Sequence, residues 1–312
     1  MHPPYGARNH SRDLFRAPDQ TRLLRPSPAF RLVGSPGVAF LPEVPAPPPV
    51  IPIEDPEDSR IADYRSIRER DLVGRKGLFI AEGEVVVRIL LRGSAHQPRS
   101  LLIAERRIAG LASLLAAVPA GIPIYSARQN VLDEIAGFSM HRGILAIGKR
   151  AEAPRAGVLL DGLGKGALVV ALFGIANHDN MGGIFRNAAA FGADAVILDP
   201  TCCDPLYRKA IRVSVGAALI VPFARFDSED DPLQVLGRSS YDAIALSPAG
   251  DFKLADIVRT GRMAVMLGAE GPGLPEALIA GARSVRIPMA PGFDSLNVAT
   301  AAGIVLHHLT SR

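Results

Sequence analysis

Leu267-Gly268-Ala269-Glu270-Gly271-Pro272-Gly273-Leu274-Pro275 follows the aliphatic run Ala264–Leu267, and Pro275 opens a helical stretch. The order is strand, glycine-rich loop, helix. Open α/β sheets bind ligands at such loops, at the carboxyl ends of their parallel strands. Glycines there let a backbone approach a ligand without Cβ interference. Glu270 is the one charged side chain in the loop. The competing reading is a tight turn with no ligand.

Two further segments share this setting. Downstream, a strand at Val285–Ile287 runs into Pro288-Met289-Ala-Pro-Gly-Phe-Asp-Ser295-Leu296-Asn297-Val298, which opens an apolar helix from about Leu296 to Leu309. Ser295 or Asn297 can cap that helix. Upstream, Leu168–Phe173 reads as a strand. It precedes Asn177-His-Asp-Asn180-Met-Gly-Gly-Ile-Phe-Arg186-Asn-Ala-Ala-Ala-Phe-Gly192, which opens a helix. Donors converge at a helix N-terminus, and Arg186 follows Asn180 by six residues. The local alternative is an N-cap asparagine and a surface arginine. Ala195–Leu198, Ile220–Phe223 and Ala243–Leu246 complete a series of short aliphatic strands with helices between them. Nearly continuous aliphatic runs are expected of a parallel sheet covered on both faces.

The first half alternates as well. Strands are predicted at Gly77–Ala81, Ser100–Ala104, Gly121–Tyr125 and Gly143–Ile147. Helices are predicted at Ile61–Arg70, Glu84–Arg92, Leu111–Val118 and Asn130–Ile135. This pattern gives a layered sheet with crossover connections. The organisation read from the chain is a Pro/Arg-rich disordered tail at 1–56, a small α/β domain at 57–150 and a second α/β domain at 151–312 that begins with a linker at 151–165.

Composition bounds the function. Of 26 prolines in the 312 residues, 13 lie in residues 1–56, a density that neither helices nor strand ladders tolerate. Between Arg60 and Arg107 there are 11 basic residues against 6 acidic ones, and ten of the 11 are arginine. Arginine's planar fork suits phosphate, so nucleic acid is a candidate partner; a solvated charged surface is the plainer reading. No apolar run is long enough to cross a bilayer, so no membrane role is expected. The two cysteines, Cys202 and Cys203, are adjacent, which excludes a disulfide framework and points to a reducing, cytoplasmic setting. The Arg-rich, acid-poor start also has the character of an organelle transit peptide, with an organelle matrix as the alternative. No cysteine or histidine set has metal-ligand spacing, so no metal is expected. Gly162-Leu-Gly164-Lys165-Gly166 precedes its strand and lacks a following Ser or Thr, so it fails as a phosphate loop.

The three strand–loop–helix segments together resemble the SpoU/TrmH family of RNA 2′-O-ribose methyltransferases, in the SPOUT superfamily. The likeness covers roughly 155–312. It rests on Asn180 with Arg186, on Leu267-Gly-Ala-Glu-Gly-Pro-Gly-Leu274, and on Ile287-Pro-Met289 with Ser295-Leu-Asn297-Val298. Phe79-Ile-Ala-Glu82-Gly83 and His141-Arg-Gly143-Ile-Leu-Ala146 resemble the small substrate-binding domain that many members carry. The resemblance implies a parallel-sheet catalytic domain with a deep trefoil knot, which topology rules alone would not propose. It also implies S-adenosyl-L-methionine as cofactor, against Leu267, Gly268, Gly271, Ile287, Met289 and Leu296. Arg186 would activate or orient a ribose 2′-hydroxyl, with Asn180, Glu270, Ser295 and Asn297 positioning the reactants. A homodimer and an RNA substrate follow, with ribosomal RNA ahead of transfer RNA. The rival expectation is a non-catalytic RNA-binding or ribosome assembly factor that keeps the cofactor pocket. The ending His307-His308-Leu309-Thr310 departs from the aromatic and acid that many relatives place there, which bears on the dimer.

Overall fold

In the computed structural model of the chain, residues 49–65, 69–136, 142–293 and 295–311 are described. The expected tail therefore lies outside them up to residue 48, as do residues 66–68 of the expected first helix, His141 of the motif His141–Ala146 and Asp294.

The first half builds a five-stranded sheet from β1 (Val50–Ile53), β2 (Leu78–Glu82), β3 (Gln97–Ala104), β4 (Ile124–Ala127) and β5 (Ile144–Lys149), in the order β1-β4-β3-β5-β2. Its helices are α1 (Glu69–Gly74), α2 (Glu84–Arg92), α3 (Ala112–Leu115) and α4 (Gln129–Ala136). β5 runs antiparallel to both β2 and β3, and β3 and β1 run parallel to β4. The carboxyl ends of β1 to β4 thus share one edge, where β5 begins. β1 corrects the sequence reading, which placed residues up to 56 in the tail. Val50–Ile53 is an edge strand, where Pro52 removes a ladder donor at little cost. The expected helix over Ile61–Arg70 is also corrected. A 3₁₀ turn covers Ser59–Tyr64, its Asp58 side chain capping the Arg60 amide, and α1 starts only at Glu69.

The second half opens with α5 (Ala156–Gly162) inside the stretch read as a linker. Leu160, at 0 % exposure, anchors it in the core, which overrides its flanking glycines. The strands β6 (Leu168–Phe173), β7 (Ala195–Leu198), β8 (Phe223–Arg225), β9 (Asp242–Leu246), β10 (Phe252–Lys253), β11 (Met263–Gly268) and β12 (Arg283–Arg286) form one sheet in the order β10-β12-β9-β11-β6-β7-β8, with every pairing parallel. The helices are α6 (His178–Ala190), α7 (Arg208–Val213), α8 (Pro232–Arg238), α9 (Glu276–Ala280) and α10 (Val298–Thr310). All residues of β6 and β7 are buried, as expected for strands covered on both faces. The strand expected at Ile220–Phe223 starts instead at Phe223. Ala217–Leu219 makes a 3₁₀ turn and Ile220 stays 45 % exposed. The expected parallel α/β architecture is present, and β6, β11 and β12 each end at one of the three quoted loops.

One continuous cluster of buried apolar side chains runs from Phe79, Val86 and Leu90 of the first sheet's layer to Leu168, Phe185 and Leu306 of the second. A buried carboxylate joins the two halves at its edge. Glu82, at the end of β2, accepts from Arg208 Nε of α7 at 3.0 Å, and Arg212 lies 3.9 Å from the same oxygen. His96 is a second junction. Its Nδ1 accepts from the Ala151 amide at 2.9 Å, and its ring meets Phe79 edge-on at 5.2 Å. Burial, reinforced by the nearby Arg150 cation and opposed by Asp204, lowers its pKa from 6.5 to about 4. The folded form therefore holds this imidazole neutral where the unfolded chain would protonate it. The stabilisation is complete above pH 6.5 and is lost as pH falls from 6.5 toward about 4. His96→Asn keeps an acceptor for Ala151 without the titration. Urea unfolding at pH 4.5, 5.5, 6.5 and 7.5 should show a shallower acid slope for this variant than for the wild type.

Candidate functional site

The three quoted loops meet at one side chain. Asn297 is the N-cap of α10; its Oδ1 accepts from the amides of Ala299 at 3.0 Å and Thr300 at 3.2 Å. With the oxygen committed to donors, Nδ2 faces acceptors. It donates to Asn180 Oδ1 of α6 and to Glu270 Oε1 of the loop after β11, both at 2.8 Å. A carboxylate can only accept, so this orientation of the amide satisfies all four contacts. The sequence left Ser295 and Asn297 both open as caps, and Asn297 is the one used. At α6 the local alternative, an N-cap asparagine and a surface arginine, is what the helix shows. The cap is Asn177, whose side chain accepts from Asp179 N at 2.7 Å. Asn180 sits in the first turn, 7 % exposed, and is turned to Asn297 instead.

Around this tie lies a cleft of about 560 Å³. Leu267, Gly268, Gly271, Ile287, Met289 and Leu296 all line it, together with Glu270, Ser295 and Asn297. Gly268 is required by close approach. A Cβ there would lie 2.1 Å from the Gly273 carbonyl carbon, where the loop returns to cover its own strand end. Among the described residues Glu270 is the only charged side chain in the lining, which is otherwise mostly aliphatic. Leu246 at the end of β9, with Ser247 and Pro248 after it, also walls the cleft and is not among the residues expected there. The signal lies in the sequence, since the strand at Ala243–Leu246 puts these residues at a carboxyl end like the other three.

Arg186 is not brought to the cleft. It is exposed on α6 and absent from the lining. Six residues past Asn180, it stands about 9 Å further along the helix. The α6 face carrying Gly183 and Asn187 lies against α10, where Asn187 Nδ2 donates to Ala299 O at 2.6 Å. Arg186 projects from a different face, shared with Asp179 one heptad earlier, and Asp179 pairs with Lys209 at 2.6 Å.

A second charged region sits at the strand-end edge of the first sheet. Arg106 and Arg107 follow β3, Arg128 follows β4 and Arg142 precedes β5. Arg107 reaches Glu84 at 3.3 Å with its Nε buried and without a hydrogen-bond partner among the described residues, and the Arg142 side chain runs along Gly83. Arg88 also pairs with Glu84, at 3.0 Å.

A cleft at the carboxyl ends of parallel strands, walled by backbone-rich loops, defines this as an α/β protein with a small-molecule site. Comparison with known proteins narrows the class. Residues 167–307 match the SpoU rRNA Methylase family. A protein named as an uncharacterized tRNA/rRNA methyltransferase of Mycobacterium bovis is 41% identical over 266 residues, covering 82% of this chain and 90% of its own length. A counterpart from Mycobacterium tuberculosis shares the same identity and coverage. Among solved structures, an AdoMet-bound rRNA methyltransferase from Sinorhizobium meliloti aligns with a TM-score of 0.71 at 24% identity, over 83% of this chain and 97% of that one. The SpoU methyltransferase AviRb from Streptomyces viridochromogenes, in complex with AdoMet, aligns at 0.66 and 21% over 80% and 96%. The chain belongs to the SpoU methylase family.

Asn297 generates a prediction separable from catalysis. Asn297→Ala removes the α10 cap and the tie to two loops, and should cost about 1–2 kcal/mol by urea denaturation. Asn297→Asp keeps the cap acceptor but places a carboxylate against Glu270. It also loses the donor to Asn180, so it should recover only part of the stability that Asn297→Ala loses.

Proposed function

We propose that this protein is an S-adenosyl-L-methionine-dependent RNA methyltransferase acting on a ribose 2′-hydroxyl, with ribosomal RNA preferred over transfer RNA. The observation that carries the reading is the Asn297 tie, which gathers the ends of β6, β11 and β12 around one aliphatic cleft with a single carboxylate. The cofactor fits that cleft on two counts. Its volume falls in the range of small-molecule sites, about 300–1,000 Å³. Its lining pairs aliphatic walls with one anion, Glu270, suited to a ligand that has an aromatic base and positive charge. Leu267, Gly268, Gly271, Ile287, Met289 and Leu296 would hold it, and when bound it supplies the methyl group on a sulfonium.

The chain's own task is to bring a ribose oxygen into line and stabilise its developing charge. Much of the rate comes from alignment. Arg186 orients the ribose or its phosphate and stabilises the alkoxide as a cation, since a guanidinium stays protonated near neutrality. Because Arg186 lies outside the cleft of its own chain, the reading assigns it to the site of a second copy in a homodimer. The trefoil knot expected of the family belongs to the same proposal. The arginines at the edge of the first sheet, Arg106, Arg107, Arg128 and Arg142, would track RNA phosphates.

The deciding experiment incubates the protein with labelled S-adenosylmethionine and unmodified ribosomal or transfer RNA. Label that protects one phosphodiester from alkali establishes 2′-O-methylation and names the RNA class. Absence of label in both pools, with cofactor bound, favours the non-catalytic binding factor. Arg186→Ala should lower kcat by about 10²–10³ with cofactor affinity unchanged. Mixing Arg186→Ala with Asn297→Ala should restore activity to about a quarter of the sites if the arginine acts across a two-fold interface; no restoration places Arg186 in its own chain's site. Arg107→Ala with Arg142→Ala should weaken RNA binding and flatten its salt dependence by about 1.4–1.8 log units per log unit of salt. An unchanged slope removes this edge from the RNA path.

A further inference from the structure

Phe293 is 76 % exposed, the most exposed large apolar side chain among the described residues. It stands four residues after Met289 and two before Ser295, both of which line the cleft. Chain length alone holds its Cα within about 7 Å of that of Ser295. A turn presents it. The Phe293 amide donates to Ala290 O at 3.2 Å, and Gly292 takes φ +88°, a conformation that strains side chains other than glycine's. Among the described residues Phe79, Phe173, Phe185 and Phe226 are buried and Phe191 and Phe223 are partly buried. Phe252, the other exposed phenylalanine among them, lies on the edge strand β10 outside the cleft. The cleft lining itself contains no aromatic residue.

A ribose hydroxyl cannot be aligned for in-line transfer while its nucleotide stays stacked in RNA. An enzyme acting there must draw the nucleotide out and give the freed base another surface. An exposed ring on a turn at the rim of the reactive cleft offers such a surface, because every base has a π-face. We infer that Phe293 is the stacking platform for the base of the target nucleotide, a positioning residue that sets how the acceptor ribose enters the cleft. This rests on the proposed methyl transfer to RNA and deepens it.

The chain has no tryptophan, so Phe293→Trp creates a single-tryptophan protein whose indole can be excited apart from the five tyrosines. Unmodified ribosomal and transfer RNA transcripts should quench its emission, and inorganic polyphosphate should not, since it has charge but no bases. In methylation assays Phe293→Ala should lose about tenfold in kcat/KM for RNA, within the range measured for one stacked base. Phe293→Trp should stay near the wild type and Phe293→Leu should behave like the alanine variant, with cofactor affinity and sedimentation unchanged throughout. The inference is overturned if Phe293→Leu keeps full activity, if polyphosphate quenches as well as RNA does, or if Phe293→Ala converts a dimer to monomers, which would make the ring an interface between copies. Quenching by RNA without methylation by the wild type would sink the proposed reaction while leaving Phe293 as a base-binding residue.

Discussion

The site depends on where one primary amide points. Asn297 spends its oxygen on the first amides of α10 and its nitrogen on Asn180 and Glu270. No residue of another type makes these four contacts from that position with equal economy. Serine caps but lacks the reach and the second donor; aspartate caps but repels Glu270. The consequence is mechanical. The loop after β11 is held by its own return onto Gly268 and by buried Leu274, and the N-terminal turn of α6 is set by Asn177. Asn297 makes these otherwise independent loops one wall.

That wall stands on a sheet whose central strands, β6, β7 and β11, are buried on both faces, so cleft geometry inherits the rigidity of the core. The first sheet joins by a different principle. Its strand-end edge carries arginines and its Glu82 is buried against Arg208. A carboxylate with so little access to water is costly without a cation, and the cation comes from the other half of the chain. The ion pair therefore fixes orientation more than it adds stability. Together with the shared apolar cluster it sets the arginine edge of one sheet in a defined relation to α7, which packs beside α6.

Much of this was legible in the sequence because the second sheet's signals are strong ones. Aliphatic runs such as Leu168–Phe173 followed by glycine-rich or Asn-capped loops leave few alternatives, and all nine residues read as cofactor-lining or as loop-borne site residues outside α6 border one cleft. The errors fall where tertiary context outweighs local preference. Val50–Ile53 is proline-flanked and reads as tail until an edge at β4 is available to pair with it. Gly-rich 156–162 reads as linker until Leu160 finds its buried place. Which asparagine caps α6, and what the other one does, is not readable from spacing, since either can accept from a first-turn amide. What decided it was Asn297, 117 residues beyond Asn180 and invisible to any local window.

Placement of charge and exposed apolar surface follows from the same division. Among the described residues the cleft is aliphatic with one carboxylate, while guanidinium groups gather on α6, α7 and the first sheet's edge. A cationic ligand and a polyanionic one cannot both be favoured by one field. Separating the two regions lets each be tuned alone, at the cost of bringing their ligands together only where the regions meet. Phe293 and Leu296, exposed beside the cleft, add no charge of either sign. An uncharged aromatic surface is the one kind of contact there that favours a nucleobase without weakening either the cationic or the anionic site.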